Sequence, residues 1–151
     1  MDDITREGAM VTLRYALIGL VPLALLSVAC GDDDDGASTE IDATLEDFKF
    51  SPTEWTVAAG EEITTELENN GSVLHEFVIL QQGVQISSEA ELPETEEELL
   101  ASFVYWETEI EPGQSKTETF TAPEAGTYQV ICAIETHFNA GMTGTLIAEA
   151  S

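Results

Sequence analysis

The sequence predicts an all-β fold, an antiparallel sandwich, and two observations carry that expectation. Residues 61–68 alternate, with Ile63, Thr65 and Leu67 on one side and Glu62, Thr64, Glu66 and Glu68 on the other, the period of two expected of a sheet with one wet face. Short β-type runs also recur at near-regular spacing, separated by turns rich in Gly and Pro, which is how sandwich strands are punctuated. The length of 151 residues leaves room for an export segment and one domain of roughly 100 residues, enough to bury a core without staples.

In chain order, residues 1–30 read as an export signal. The apolar run over 16–29 follows Arg14, is broken by Pro22 and is too short for a membrane span. Asp2, Asp3 and Glu7 are foreign to a positively charged leader, whereas Met10-Val11-Thr12-Leu13-Arg14 opens one cleanly, so translation is expected to begin at Met10. Leu26-Ser27-Val28-Ala29-Cys30-Gly31 resembles the bacterial lipoprotein cleavage site, with Ser27 where that site usually has Leu. On this reading Cys30 carries lipid, the acidic residues 31–40 form a flexible tether, and residues 41–151 form a domain held at the periplasmic or extracellular face of a membrane. The plainer alternative is an ordinary cleaved signal that happens to contain Cys30.

Within the domain, Leu45, Phe48 and Phe50 form a first strand stopped by Ser51-Pro52, and Trp55-Thr56-Val57 a short second one ended by Ala59-Gly60. The alternating run 61–68 leads to a turn at Asn69-Asn70-Gly71-Ser72 and then to a more fully apolar strand over 75–80. Residues 81–106 break the rhythm. There, Thr95-Glu96-Glu97-Glu98 has capping-box spacing ahead of Leu99, Leu100, Phe103 and Val104, which predicts a short helix over 96–103. Strands resume over 105–110 and 116–120, with turns at Glu111-Pro112-Gly113-Gln114 and Pro123-Glu124-Ala125-Gly126. Tyr128, Val130 and Cys132 then share one side of a strand, and 143–149 is the last strand.

Composition excludes some functions. With 4 basic against 30 acidic residues and a net charge of −26, the chain has almost nothing with which to neutralise phosphates, so nucleic acid is not a partner. The acidity has two readings, adaptation to high salt and an acidic docking face. Most of the glutamates lie on alternating exposed faces or in charge runs, so no acid–base pair suggests an enzyme.

Chemistry concentrates in residues 132–142. That stretch places Cys132, His137 and Met142 on one short loop between apolar segments, and the one other histidine of the chain, His75, opens a strand. Singly, each has a bland reading as a core or surface residue. Together, thiolate, two imidazoles and a thioether are the donor set of a mononuclear blue-copper centre. Zinc accepts Cys and His but is poorly served by a thioether, and multicopper catalysis needs more histidines than two. A Cys30–Cys132 disulfide is disfavoured because Cys30 lies at the signal boundary, before a charge run.

Several stretches bear on family. They are Phe50-Ser51-Pro52, Val57-Ala58-Ala59-Gly60-Glu61, Asn70-Gly71 leading to His75-Glu76-Phe77, Glu111-Pro112-Gly113-Gln114, Phe120-Thr121-Ala122-Pro123, Gly126-Thr127-Tyr128, and the closing Cys132-x4-His137-x4-Met142-Thr143-Gly144. In these the chain resembles the cupredoxins, the small blue-copper proteins that include plastocyanin, azurin, auracyanin and halocyanin, and its ligand spacing looks most like auracyanin. The resemblance implies a Greek-key β-sandwich of eight or so strands, one type 1 copper ion and no enzymatic activity. It implies single-electron shuttling by a monomer between a redox donor and acceptor, cytochromes or membrane complexes among the candidates. By position, His75 would be the buried imidazole and His137 the one whose edge reaches the surface, rimmed by Phe138, Ala140 and Val73 or Leu74. The chain departs from many members in having Glu76 where Asn follows the first histidine, and Thr136 where Gly precedes the second. A copper-binding module for storage or delivery without redox cycling is the alternative, and a metal-free sandwich used for adhesion or assembly a third.

Overall fold

In a computed structural model that describes residues 37–150, alternation of buried and exposed side chains is realised as nine strands. They are β1 (Glu40–Glu46), β2 (Lys49–Ser51), β3 (Glu54–Ala58), β4 (Glu62–Asn69), β5 (His75–Leu80), β6 (Val104–Ile110), β7 (Ser115–Thr121), β8 (Gly126–Ile131) and β9 (Thr143–Glu149), with one helix, α1 (Glu96–Ser102). The expected export signal, Cys30 and most of the expected acidic tether lie outside the described residues.

The strands form two sheets, ordered β2-β1-β4-β7 and β3-β9-β8-β5-β6, stacked as a sandwich. The pairing differs from the expected antiparallel arrangement at two places, since β1 runs parallel to β4 and β3 parallel to β9. The chain passes from one sheet to the other between β2 and β3, so each member of these pairs reaches its neighbour through a crossover, which parallel pairing requires. Alternation reports which face of a strand is wet, not which strand lies beside it, so this feature was hidden. The first strand that the pattern predicts is two strands in the structure. Asp47 and Phe48 form a turn between β1 and β2, where Phe48 has φ 65° and is 41 % exposed; the buried aromatic of the pair is Phe50.

The inner faces meet in one core that includes Ile41, Leu45, Phe50, Trp55, Ile63, Phe77, Ile110, Val130 and Leu146. Phe77 lies at its centre, packed edge-to-face with Phe50 and Trp55 at centroid distances of 5.4 and 5.0 Å, a geometry that suits the ring quadrupoles. The Trp55 indole N–H donates across to the Asp42 carbonyl at 3.0 Å. Strand β4 shows one wet face, but β5 is buried nearly throughout. The cause is a second, smaller core in which Val78, Leu80 and Ile131 pack with Ile86, Leu92, Phe103 and Phe138 beneath the excursion that joins β5 to β6.

That excursion is pinned by its own polar contacts. The Thr95 hydroxyl accepts from the Glu98 N–H at 3.3 Å and caps α1 as its sequence spacing predicts. The Gln129 amide exchanges two hydrogen bonds with the backbone of Ile86, at 2.7 and 3.0 Å, standing in for a missing strand neighbour. A single 3₁₀ turn, Glu89–Glu91, precedes the helix; the sequence pattern did not disclose it.

Candidate metal centre

Side chains of β8 alternate so that Tyr128 and Val130 face the core, and the same alternation carries Cys132, one residue past the strand, into the interior with no exposed surface. The loop that follows closes on itself. Cys132 N–H donates to the Met142 carbonyl at 3.2 Å, Met142 N–H to the His137 carbonyl at 3.1 Å, and Ala140 N–H to the Thr136 carbonyl at 3.0 Å. These bonds hold the backbones of Cys132, His137 and Met142 at one neck. Met142 is fully buried in the same core cluster as Cys132. Thr136 sits at φ 75°, the left-handed region that suits glycine and strains a β-branched side chain. The conformation thus explains why glycine is common at this place in the resemblance, and it shows that threonine can be held there.

His75 arrives from the other direction, at the start of β5 and fully buried. Its Nδ1 lies 3.2 Å from Nδ1 of His137, and the Cys132 Sγ lies 3.2 Å from that same His137 nitrogen. One donor atom from each of the three residues falls within 4.8 Å of the others. Three buried donors, two of them imidazole nitrogens facing each other, are close enough together to hold one metal ion.

The protonation states agree. Burial holds both imidazoles below their ordinary range, His75 further through the nearby His137, so each is neutral with a lone pair available. Burial pushes the Cys132 thiol up to about 11, although the Glu76 and Ile134 backbone N–H groups oppose it. A thiol so placed is unreactive by itself and becomes a thiolate when a metal replaces its proton. The donor set, two neutral imidazoles and a buried thiol on the neck of a loop that also carries a buried thioether, fits copper.

Residues around the donors fix them. Glu76 donates its backbone N–H to the Cys132 Sγ at 3.4 Å, and its carboxylate accepts the Ala133 N–H at 3.1 Å. Glu76, which stands where many cupredoxins have asparagine, therefore braces the loop of residues 132–142 from β5. Burial, with Glu107, Glu109 and Glu96 nearby, raises its carboxyl to about 7 against the pull of the Ala133 N–H. Buried Asn69 donates to the carbonyls of Val73 and Ile110, both at 2.8 Å, and accepts the Gly71 N–H, so it organises the loop that delivers His75. On the far side Asn139 pairs with Glu89 at 2.8 Å, tying the ligand loop to the excursion.

His137 is 6 % exposed, and Phe48 lies edge-on against its ring at 5.0 Å. Of the rim residues suggested by the resemblance, Val73 and Ala140 are exposed and Leu74 partly so, whereas Phe138 turns inward to the second core. Phe48 and Asn69 were missed as site residues. In the sequence pattern the first falls within a strand and the second within a turn cluster, and neither position signals a site residue.

The family model described as "Cupredoxin-like domain" matches residues 18–148. Auracyanin-A of Chloroflexus aurantiacus is 29 % identical, over 85 % of this chain and 93 % of its own length. Plastocyanin A/B of Petroselinum crispum is 33 % identical over 78 % and 93 %, and the copper-resistant cuproprotein CopI of Pseudomonas aeruginosa 26 % over 75 % and 77 %. Among solved structures, dithionite-reduced auracyanin from the photosynthetic bacterium Roseiflexus castenholzii superposes with a TM-score of 0.62 at 29 % identity, covering 76 % of this chain and 99 % of that one. Auracyanin A of Chloroflexus aurantiacus, a "blue" copper protein, gives 0.57 at 27 % identity over 76 % and 100 %.

Proposed function

The chain belongs to the cupredoxin family, and from that premise we propose that it carries single electrons on one copper ion held by His75, Cys132, His137 and Met142. The observation that bears most weight is the convergence of a fully buried thiol and two buried, neutral imidazoles within 4.8 Å. The likeness to auracyanin, named a blue copper protein, and to plastocyanin supports the same reading.

Bound copper supplies a one-electron couple. The chain's own residues supply the rest. His75 and Cys132 sit on or beside the strands β5 and β8, which are paired through Val78–Ile131 and Ile79–Val130, so their separation is set by the pairing of the sheet. The closed backbone of residues 132–142 fixes His137 and Met142 relative to them. Burial excludes water from the donors, and the 6 % of His137 that reaches the surface, beside Phe48, is the short path by which an electron enters or leaves. A rigid ligand set keeps reorganisation small, which is what rapid exchange requires.

The test is spectroscopic. The copper-loaded protein is expected to show an intense visible absorption and a Cu(II) paramagnetic-resonance signal, both lost in Cys132→Ser, with reversible voltammetry. A colourless Cu(II) form would refute the reading. The likeness to CopI, named a copper-resistant cuproprotein, favours a second reading, storage or delivery of copper. Under it the protein hands Cu(I) to an acceptor and shows no reversible couple.

The proposal extends to location. The sequence of residues 1–36 supports export and a lipid on Cys30, which would tether the domain at the outer face of a membrane near its donor and acceptor. Metabolic labelling with a radioactive fatty acid should mark the protein and fail to mark Cys30→Ser; label retained by that variant would remove the anchor.

A further inference from the structure

A metal-binding imidazole has two nitrogens, and the one turned away from the metal is normally held by an acceptor that fixes the ring's tautomer and orientation. In His75 the Nδ1 faces Cys132 and His137, and Nε2 is buried without a hydrogen-bond partner among the described residues. The polar group it faces is the Asp47 carboxylate, with Oδ1 3.8 Å away. That distance exceeds a hydrogen bond, so direct contact requires the carboxylate, whose side chain is 47 % exposed, to move closer to the ring.

Asp47 is itself directed. Its two oxygens accept the backbone N–H and the hydroxyl of Ser72, at 2.7 and 2.9 Å. The turn that carries it also carries Phe48, which abuts His137. Between the carboxylate and the ring lies Gly71. A Cβ there would fall 2.7 Å from Asp47 Oδ1, 2.7 Å from His75 Nε2 and 3.1 Å from Asn69 Oδ1, so a larger residue would wedge the pair apart. Glycine is required here by space, not by backbone conformation.

We propose that Asp47 is a positioning residue of the metal centre, its carboxylate taking the Nε2–H of His75 so that Nδ1 is fixed as the metal-facing donor, with Gly71 permitting the approach. The proposal rests on the copper reading above. A carboxylate on the outer nitrogen makes the imidazole a stronger donor and places negative charge near the metal. Both effects favour Cu(II) over Cu(I) and lower the reduction potential.

The experiment compares the full-length copper-loaded protein with Asp47→Asn and with Glu46→Gln, which removes an equal charge one residue away on an exposed side chain bonded to Lys49. Loss of such an outer partner typically costs about 10-fold or more in metal affinity. A 10-fold loss confined to Cu(II) corresponds to a rise of about 59 mV for one electron. Asp47→Asn is expected to keep its visible band and rise by about that amount, with Glu46→Gln moving far less. Equal shifts in the two variants would reduce Asp47 to a general surface charge and overturn the proposal.

A second readout needs no metal and no variant. Nitrogen-15 spectra of the metal-free wild-type protein should show His75 as the Nε2–H tautomer, and a ring protonated on Nδ1 overturns the proposal. Failure of the copper reading looks different, because then the wild-type protein itself lacks the visible band.

Discussion

Cys132 shows how one side chain can be inert in one state and reactive in another. Its thiol is pushed up to about 11, while both imidazoles are held below their usual range by burial. Near pH 7.5 the metal-free centre therefore holds one displaceable proton, on sulfur. Copper binding should release about one proton, and affinity should rise roughly tenfold per pH unit. The window opens above the lowered imidazole values and closes near 11; below it, imidazole protons must also leave and the slope steepens. Calorimetry in two buffers of different ionisation enthalpy measures the proton count, and a count of zero would show that the thiol is already ionised or is not a ligand. Thr136 supports a second prediction. Its left-handed backbone costs a non-glycine residue about 1–2 kcal/mol, partly offset by the greater chain entropy that glycine loses on folding. Thr136→Gly should therefore stabilise the metal-free protein by roughly 0.5–1 kcal/mol in denaturant titration.

At the scale of elements, the strands that the sequence pattern located best are those with unambiguous ends. His75–Leu80 lies between the turn cluster of residues 69–72 and the turn at residues 82–83, Thr143–Glu149 starts just after the turn that ends at Gly141, and the Thr95 cap announced α1. The partners of those strands were not legible. The parallel registers of β1 with β4 and β3 with β9 join segments that no local period relates. The candidate site divides along the same line. Its three donors that converge within 4.8 Å, His75, Cys132 and His137, were legible because the chain has only two histidines and one cysteine beyond residue 30, which left few combinations. Its supports were not, because Glu76 acts on Ala133 and Glu89 on Asn139 across 57 and 50 residues. The last of these contacts can be tested. Asn139→Ala removes a charge-assisted bond between the excursion and the ligand loop, and should cost about 1 kcal/mol and speed copper release to a chelator. Unchanged release would mean that the loop holds its shape without the excursion. Phe77→Ala, at the junction of the two sheets, should cost about 3–5 kcal/mol in chemical denaturation, since its ring touches aromatic partners from β2, β3 and β6.

Over the whole molecule the dominant force beyond packing is self-repulsion. The chain has 30 acidic residues, and its two lysines among the described residues, Lys49 and Lys116, pair with Glu46 and Glu118 on the surface, where ion pairs contribute little. Unfolding moves like charges apart, so added salt should raise the midpoint of thermal unfolding, as screening shortens to about 10 Å at 0.1 M; a midpoint that falls with salt would mean that paired charges dominate. The same field acts on exchange at His137, which feels the carboxylates of Glu89 and Asp47. Two copies of this protein that meet through this face bring those charges together. Self-exchange should then be slow at low ionic strength and accelerate with salt, while reduction by a cationic partner should show the opposite slope, because attraction steers the encounter and salt weakens it. Stopped-flow rates against a cationic and an anionic small-molecule reductant would measure both slopes. If the two reductants respond alike, the acidic residues lie outside the electron's path and the charge serves solubility in salt; if they diverge, the acidic surface selects the partner.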